Sequence, residues 1–205
     1  MYRGNPSEVK SILVTSATKH EGKSLVASNL AIAMAKRESD KQVLLIDCDL
    51  RRPVIHSLFG MEREPGFADL ITLEAETRDV IHDSELANLK IISSGEMLGS
   101  PSHWFANVKD VLDKCKEQFD VLICDAPPVV PVDDTAVIAP HLDGVLMVVL
   151  AGKTDRMVVK RAIDILNDAK AEILGVALND LNGTLPYYYN YKYYGYKYKS
   201  QRENT

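Results

Sequence analysis

Residues 11–35 read SILVTSATKHEGKSLVASNLAIAMA, and three kinds of local order follow one another in them. Ser11–Thr15 is a short apolar run, the mark of a strand covered on both faces. From Lys23 to Lys36 apolar residues recur every three or four positions, which predicts an amphipathic helix. Between them the chain turns through Ala17–Gly22. A helix that starts straight after a strand gathers unpaired backbone N–H groups and the positive end of the helix dipole at one spot. That order builds a cradle for an anion.

The tripeptide Gly22-Lys23-Ser24 stands where loop becomes helix. It matches the end of the phosphate-loop pattern G-x-x-x-x-G-K-[ST], with Ala17 in place of the first glycine. In that pattern the lysine reaches the β- and γ-phosphates and the hydroxyl ligates Mg²⁺, the roles of Lys23 and Ser24. The expected nucleotide-binding set is Thr18, Lys19, His20, Glu21, Gly22, Lys23, Ser24 and Leu25, with ATP and Mg²⁺ as cofactors. His20 is unusual in a loop that favours positive φ, a region histidine tolerates better than most residues.

Outward from this unit, further Val/Ile/Leu runs alternate with amphipathic stretches. Strands are expected at Gln42–Ile46, Leu89–Ile92, Val121–Cys124, Gly144–Leu150 and Ile173–Leu178. Helices are expected at Val54–Phe59, Ser102–Glu117 and Arg156–Ala169. Residues 62–87 read as short helices and loops. The fold class is therefore α/β, a three-layer sandwich with a mostly parallel central sheet and helices on both faces. At 205 residues the chain is long enough for one domain with a good core. Its longest apolar run, Gly144–Ala151, is less than half of the ~18 residues a membrane span needs. The first ten residues, MYRGNPSEVK, lack an apolar leader, so a cytoplasmic protein is expected. Cys48, Cys115 and Cys124 have no C-x-x-C spacing, which argues against a disulfide framework or a metal cluster.

Two strand ends carry carboxylates. VLLIDCDLRRP ends with Asp47 and Asp49, two apart and so expected on one face, and FDVLICDAPP ends with Asp125. Ligands of open α/β sheets bind at the carboxyl ends of strands. Asp125 fits a residue that holds Mg²⁺ directly or through water, and Ser24 and Asp49 complete the expected metal set. Lys23, Asp47 and Asp49 form the expected catalytic set. Asp47 is the candidate to accept the proton of a hydroxyl acceptor; an Asp with an ordinary pKa of ~3.9 is a poor base for it, so late proton transfer is expected and Asp47 chiefly positions the acceptor. Arg51 and Arg52 stand ready to steady phosphate, hold a neighbouring subunit or form a surface salt bridge.

The chain ends in LPYYYNYKYYGYKYKSQRENT, and eight of its nine tyrosines lie there: Tyr187, Tyr188, Tyr189, Tyr191, Tyr193, Tyr194, Tyr196 and Tyr198. Residues 1–184 are read as the folded domain and 185–205 as a mobile tail. From Pro186 on, Lys192, Lys197, Lys199 and Arg202 face only Glu203, a balance of +3, so the rest of the chain carries −8. A stacking surface for single-stranded RNA would call for a basic body as well, so no nucleic-acid partner is expected.

Taken together these residues resemble the bacterial tyrosine kinases, phosphate-loop enzymes unrelated to eukaryotic protein kinases. The family's D-x-D-x-R motif appears as Asp47-Cys48-Asp49-Leu50-Arg51, its second carboxylate motif as Val121–Asp125, and its terminal tyrosine cluster as the tail. The resemblance implies an ATP-dependent autokinase of capsule or exopolysaccharide synthesis, with the eight tail tyrosines as phosphoacceptors. It implies that Asn179 hydrogen-bonds adenine. It also implies partners: further copies of the chain in a ring or dimer, a membrane activator, and a tyrosine phosphatase. The chain departs from the family where a helix precedes the first strand: about ten residues stand there, with Tyr2-Arg3 read as a remnant, and a fragment of a longer protein is the other reading. It departs from partition-type relatives where their signature lysine falls on Thr18, beside Lys19. A partition-type ATPase without kinase activity and a nucleotide-sensing scaffold share the fold and stay open as other readings.

Overall fold

The computed structural model describes residues 9–96 and 105–179. Seven strands form one sheet in the order β3-β4-β2-β5-β1-β6-β7. They are β1 Ser11–Ser16, β2 Val43–Asp47, β3 Ile81–Asp83, β4 Leu89–Ile92, β5 Val121–Asp125, β6 Gly144–Leu150 and β7 Ile173–Asn179. All neighbours run parallel except β3, which pairs antiparallel with β4 at the edge. The helices are α1 Lys23–Arg37, α2 Ile55–Phe59, α3 Phe67–Ile71, α4 Thr77–Val80, α5 Val108–Gln118, α6 Asp134–Ile138 and α7 Arg156–Asp168.

Adjacent residues of each central strand feed opposite cores. Val14, Leu45 and Ile123 pack with Ala27, Ala31 and Ala35 of α1 and with Ile55 of α2. Leu13, Leu44, Ile46, Leu122 and Met147 pack with Leu112 and Cys115 of α5, Ala162 and Leu166 of α7, and Phe67 of α3. Burial on both faces is why these strands read as unbroken apolar runs. The alanines of α1 bring that helix close to the sheet, which fixes its N-terminus over the end of β1.

The expected sandwich is present, and the expected elements agree with the observed ones to within a residue or two, with three corrections. Within the stretch read as helices and loops, Ile81–Asp83 forms a strand. It borrows its place from a neighbour, through the pairs Ile81–Ile92 and Asp83–Lys90, so its own three residues carry no period. The helix expected from Ser102 begins at Val108. The short helix at Asp134–Ile138 lies where no element was expected. The tyrosine segment lies outside the described residues. No helix among the described residues is long and apolar enough to cross a membrane.

Candidate active site

The parallel register sets Asp47 beside Asp125 at the carboxyl ends of β2 and β5, and β1 runs alongside β5. The phosphate loop leaves β1 and enters α1 through Gly22, whose φ is 88°. Glycine is required there for a second reason as well: a Cβ on Gly22 would lie 2.1 Å from Nδ2 of Asn179. His20 also takes a positive φ of 66°. Ala17 does not, and it is fully buried, so its Cβ is accommodated where the pattern has glycine.

Glu21 holds the loop from inside. One carboxylate oxygen accepts the Thr18 N–H at 2.6 Å. The other accepts the hydroxyl of Thr154, in the segment between β6 and α7. Asn179, at the end of β7, donates to the Glu21 carbonyl at 2.9 Å. Thr154 escaped the sequence reading because no local pattern links positions 21 and 154.

Lys23 is the hub. Its Nζ lies 2.7 Å from Asp49 Oδ2 and 3.7 Å from Asp125 Oδ1, and donates to Ser24 Oγ at 3.2 Å. Burial opposes its charge, but the Asp125 and Asp49 carboxylates outweigh that and hold its pKa above the usual lysine value. Asp49 Oδ1 also accepts the Arg52 N–H at 3.0 Å.

Asp47 sits differently. Oδ1 accepts the Asp49 N–H at 3.1 Å, and Oδ2 accepts those of Val54 and Ile55 at 3.2 and 3.1 Å. Its carboxylate thus ties down the loop after β2 and the start of α2, while Asp49, beyond the strand end, is the one that meets Lys23. Burial and the nearby Asp125 charge push the Asp47 pKa up to about 8, against the pull of the Ile55 and Asp49 amides. Burial likewise lifts Asp125 to about 6, against the Lys23 charge.

Asp125 is fully buried, and neither of its carboxylate oxygens has a hydrogen-bond partner. A buried polar group left unpaired is costly, so its retention points to a ligand. Among the described residues no cluster of three or more His, Cys, Asp or Glu could hold a metal unaided. Mg²⁺ is commonly held by one or two carboxylates together with substrate phosphates. The donor set of Ser24, Asp125 and Asp49 therefore fits Mg²⁺ arriving with a polyphosphate. Arg51 is bound to Asp134, Nε to Oδ2 at 2.7 Å and Nη2 to Oδ1 at 3.0 Å, and Asp134 was not anticipated from sequence. The three cysteines are buried free thiols.

A strand, a glycine-gated loop, a lysine and carboxylates at neighbouring strand ends define a phosphate-loop NTPase. A family model described as ParA, NUBPL iron-transfer P-loop NTPase, matches residues 8–187. The chain is 31% identical over 192 residues to the tyrosine-protein kinase YwqD of Bacillus subtilis, covering 93% of this chain and 79% of the relative. It is 33% identical over 190 residues to the putative tyrosine-protein kinase EpsB of Ralstonia nicotianae, covering 91% of this chain but only 25% of that much longer relative. The kinase domain of the Escherichia coli tyrosine kinase ETK superposes with a TM-score of 0.81 at 29% identity, over 88% of this chain and 71% of that one. The chain belongs to the ParA family of P-loop NTPases and, within that fold, to the bacterial tyrosine-protein kinases.

Proposed function

We propose that this chain is an autokinase that moves the γ-phosphoryl group of ATP onto the tyrosines of its own terminal cluster, Tyr187 to Tyr198, between copies. The observation that carries the reading is the convergence of Lys23, Asp49 and Asp125, whose carboxylate accepts no hydrogen bond, at the mouth of the phosphate loop, in a chain with eight tyrosines between residues 187 and 198. Phosphoryl transfer passes through a loose transition state, so the protein's work is positioning and neutralising charge. The loop amides and Lys23 take up charge growing on the β–γ bridge. Mg²⁺, held by Ser24, Asp125 and Asp49, would add further neutralisation there. Asp47 positions: through its three amide contacts it fixes Asp49 and the loop that carries Arg51 and Arg52. The tyrosine oxygen bonds to the γ-phosphorus, the β–γ bridging oxygen leaves with its electron pair as ADP, and the phenolic proton passes late, once bond formation has acidified it, to solvent water. Asn179, against Gly22, is the residue we assign to the adenine side.

The tail's +3 charge draws it to the acidic body of another copy. Each phosphate adds roughly −1.5 to −2, so two or three cancel the attraction and further ones reverse it. Modification then releases the tail and any assembly built on it. The proposed setting is control of polysaccharide synthesis and export, with a membrane activator recruiting the chain and a tyrosine phosphatase resetting it. Incubation with Mg²⁺·ATP followed by intact-mass measurement tests the reading. Mass gains in steps of about 80 Da, one per phosphate, are expected, at an initial rate that rises with the square of protein concentration. ATP consumed with no change in mass would leave a partition-type ATPase in its place.

A further inference from the structure

The cavity at the mouth of the phosphate loop, about 680 Å³, is more than a seat for phosphates. In the strand order β2-β5-β1-β6-β7 the loop follows β1, so Asn179 approaches from the β7 side and the β2 and β5 ends lie on the other. The cavity opens toward that second side. Its floor is Lys23 and Asp49, and its walls include Val54, Val130, Pro131 and Val132. Val54 and Val130 are 39% and 40% exposed, an apolar pair lining the same cavity as the Lys23–Asp49 ion pair.

Both walls are built. Val54 is fixed by its N–H on Asp47, and Val130 by its N–H on the Ala17 carbonyl at 3.2 Å. The Val129 N–H donates to Ser16 O at 2.9 Å, and the Pro127 carbonyl accepts the Thr15 and Thr135 hydroxyls at 2.7 and 2.6 Å. The Arg51–Asp134 pair bridges the post-β2 and post-β5 segments. A phosphate gains nothing from apolar walls, whereas a phenol has an apolar body and one polar tip.

We propose that Val54 and Val130 form a clamp for the ring of the acceptor tyrosine, supplied by the 187–198 segment of a copy of this chain, with its hydroxyl directed at the Lys23–Asp49 floor. The inference rests on the kinase reading and deepens it. Occupancy by that segment is favoured by its chemistry: it is aromatic and belongs to the tail, residues 186–205, which carries +3 against −8 for the rest of the chain. A clamp that grips the ring alone reads no neighbouring side chain. It therefore accepts Tyr187 before Tyr188, Tyr191 before Lys192 and Tyr194 before Gly195 alike.

The test adds a synthetic peptide of residues 185–199 in excess to the full chain with Mg²⁺·ATP. In the double variant Val54→Ala, Val130→Ala, the peptide KM should rise about tenfold, as loss of apolar pocket contact commonly produces. Its kcat should fall less than about threefold, and the dissociation constant of a fluorescent ATP analogue should move less than about twofold. In a second variant, Val130→Trp places an indole between the two walls where the ring would sit and should block transfer to the peptide. An unchanged peptide KM in the double variant, or normal transfer by Val130→Trp, overturns the clamp. So does an ATP dissociation constant that rises in step with KM, because the walls would then serve the nucleotide. Should the unaltered chain hydrolyse ATP yet leave the peptide unmodified, the kinase reading falls and the clamp with it.

Discussion

The ends of β2 and β5 each bury a carboxylate, in register with one another, and the two are treated in opposite ways. Asp47 spends both oxygens on three backbone amides. Asp125, equally buried, accepts no hydrogen bond and faces the Lys23 ammonium at 3.7 Å. A satisfied buried carboxylate holds structure together, and an unsatisfied one is kept at a cost for something that arrives later. Two aspartates that look alike in the sequence thus divide the work, one shaping the walls of the site and the other serving what enters it.

The largest break in that comparison should come from Asp125→Ala. Phosphate incorporation by intact mass is expected to fall about 10³-fold, a loss of about 4 kcal/mol of transition-state stabilisation. The midpoint of urea unfolding without nucleotide should move less than in Asp47→Ala, because the lost carboxylate accepts no hydrogen bond and meets the Lys23 ammonium at a distance of 3.7 Å. If the midpoint drops sharply, Asp125 has a structural partner and the contrast fails. Asp47→Ala should behave the other way round. Leaving the Asp49, Val54 and Ile55 amides without an acceptor costs about 2–3 kcal/mol, read as a lower urea midpoint.

A smaller effect lies in pH. Both aspartates have raised values in the folded state, about 8 and about 6. Their contribution to stability is fully present below the unfolded value of about 3.9 and is lost as pH rises through the folded ones. Asp83, Asp113 and Asp143 shift the other way, and the stability they contribute is fully present above that same unfolded value. Between about pH 5 and about pH 8 the nucleotide-free protein should therefore lose stability, and Asp47→Asn should flatten the slope. A melting temperature that rises across that window would show that the pair does not titrate there.

Legibility from sequence followed the reach of each interaction. The β1–loop–α1 unit, the parallel strands and α7 are set by neighbours in the chain, through apolar runs and a 3.6-residue period, and they read correctly to within a residue or two at their ends, whereas α5 starts six residues later than expected. β3 was hidden because three residues hold no period, and its pairing with β4 decides its state. The motif placed Lys23, Asp49 and Asp125 together. It did not reveal that Asp47 faces backbone, since two-residue spacing fixes a face only while the strand continues, and β2 ends at Asp47. Thr154, Asp134 and Val130 meet the site across sequence separations no local pattern reports.

Asn179 closes over Gly22 and binds the Glu21 carbonyl, so the last strand is stitched to the grip that receives the nucleotide. The chain toward Tyr187, eight residues on, thus departs from a point beside its own copy's phosphate loop, and the proposed acceptors share their anchor with the site they would serve.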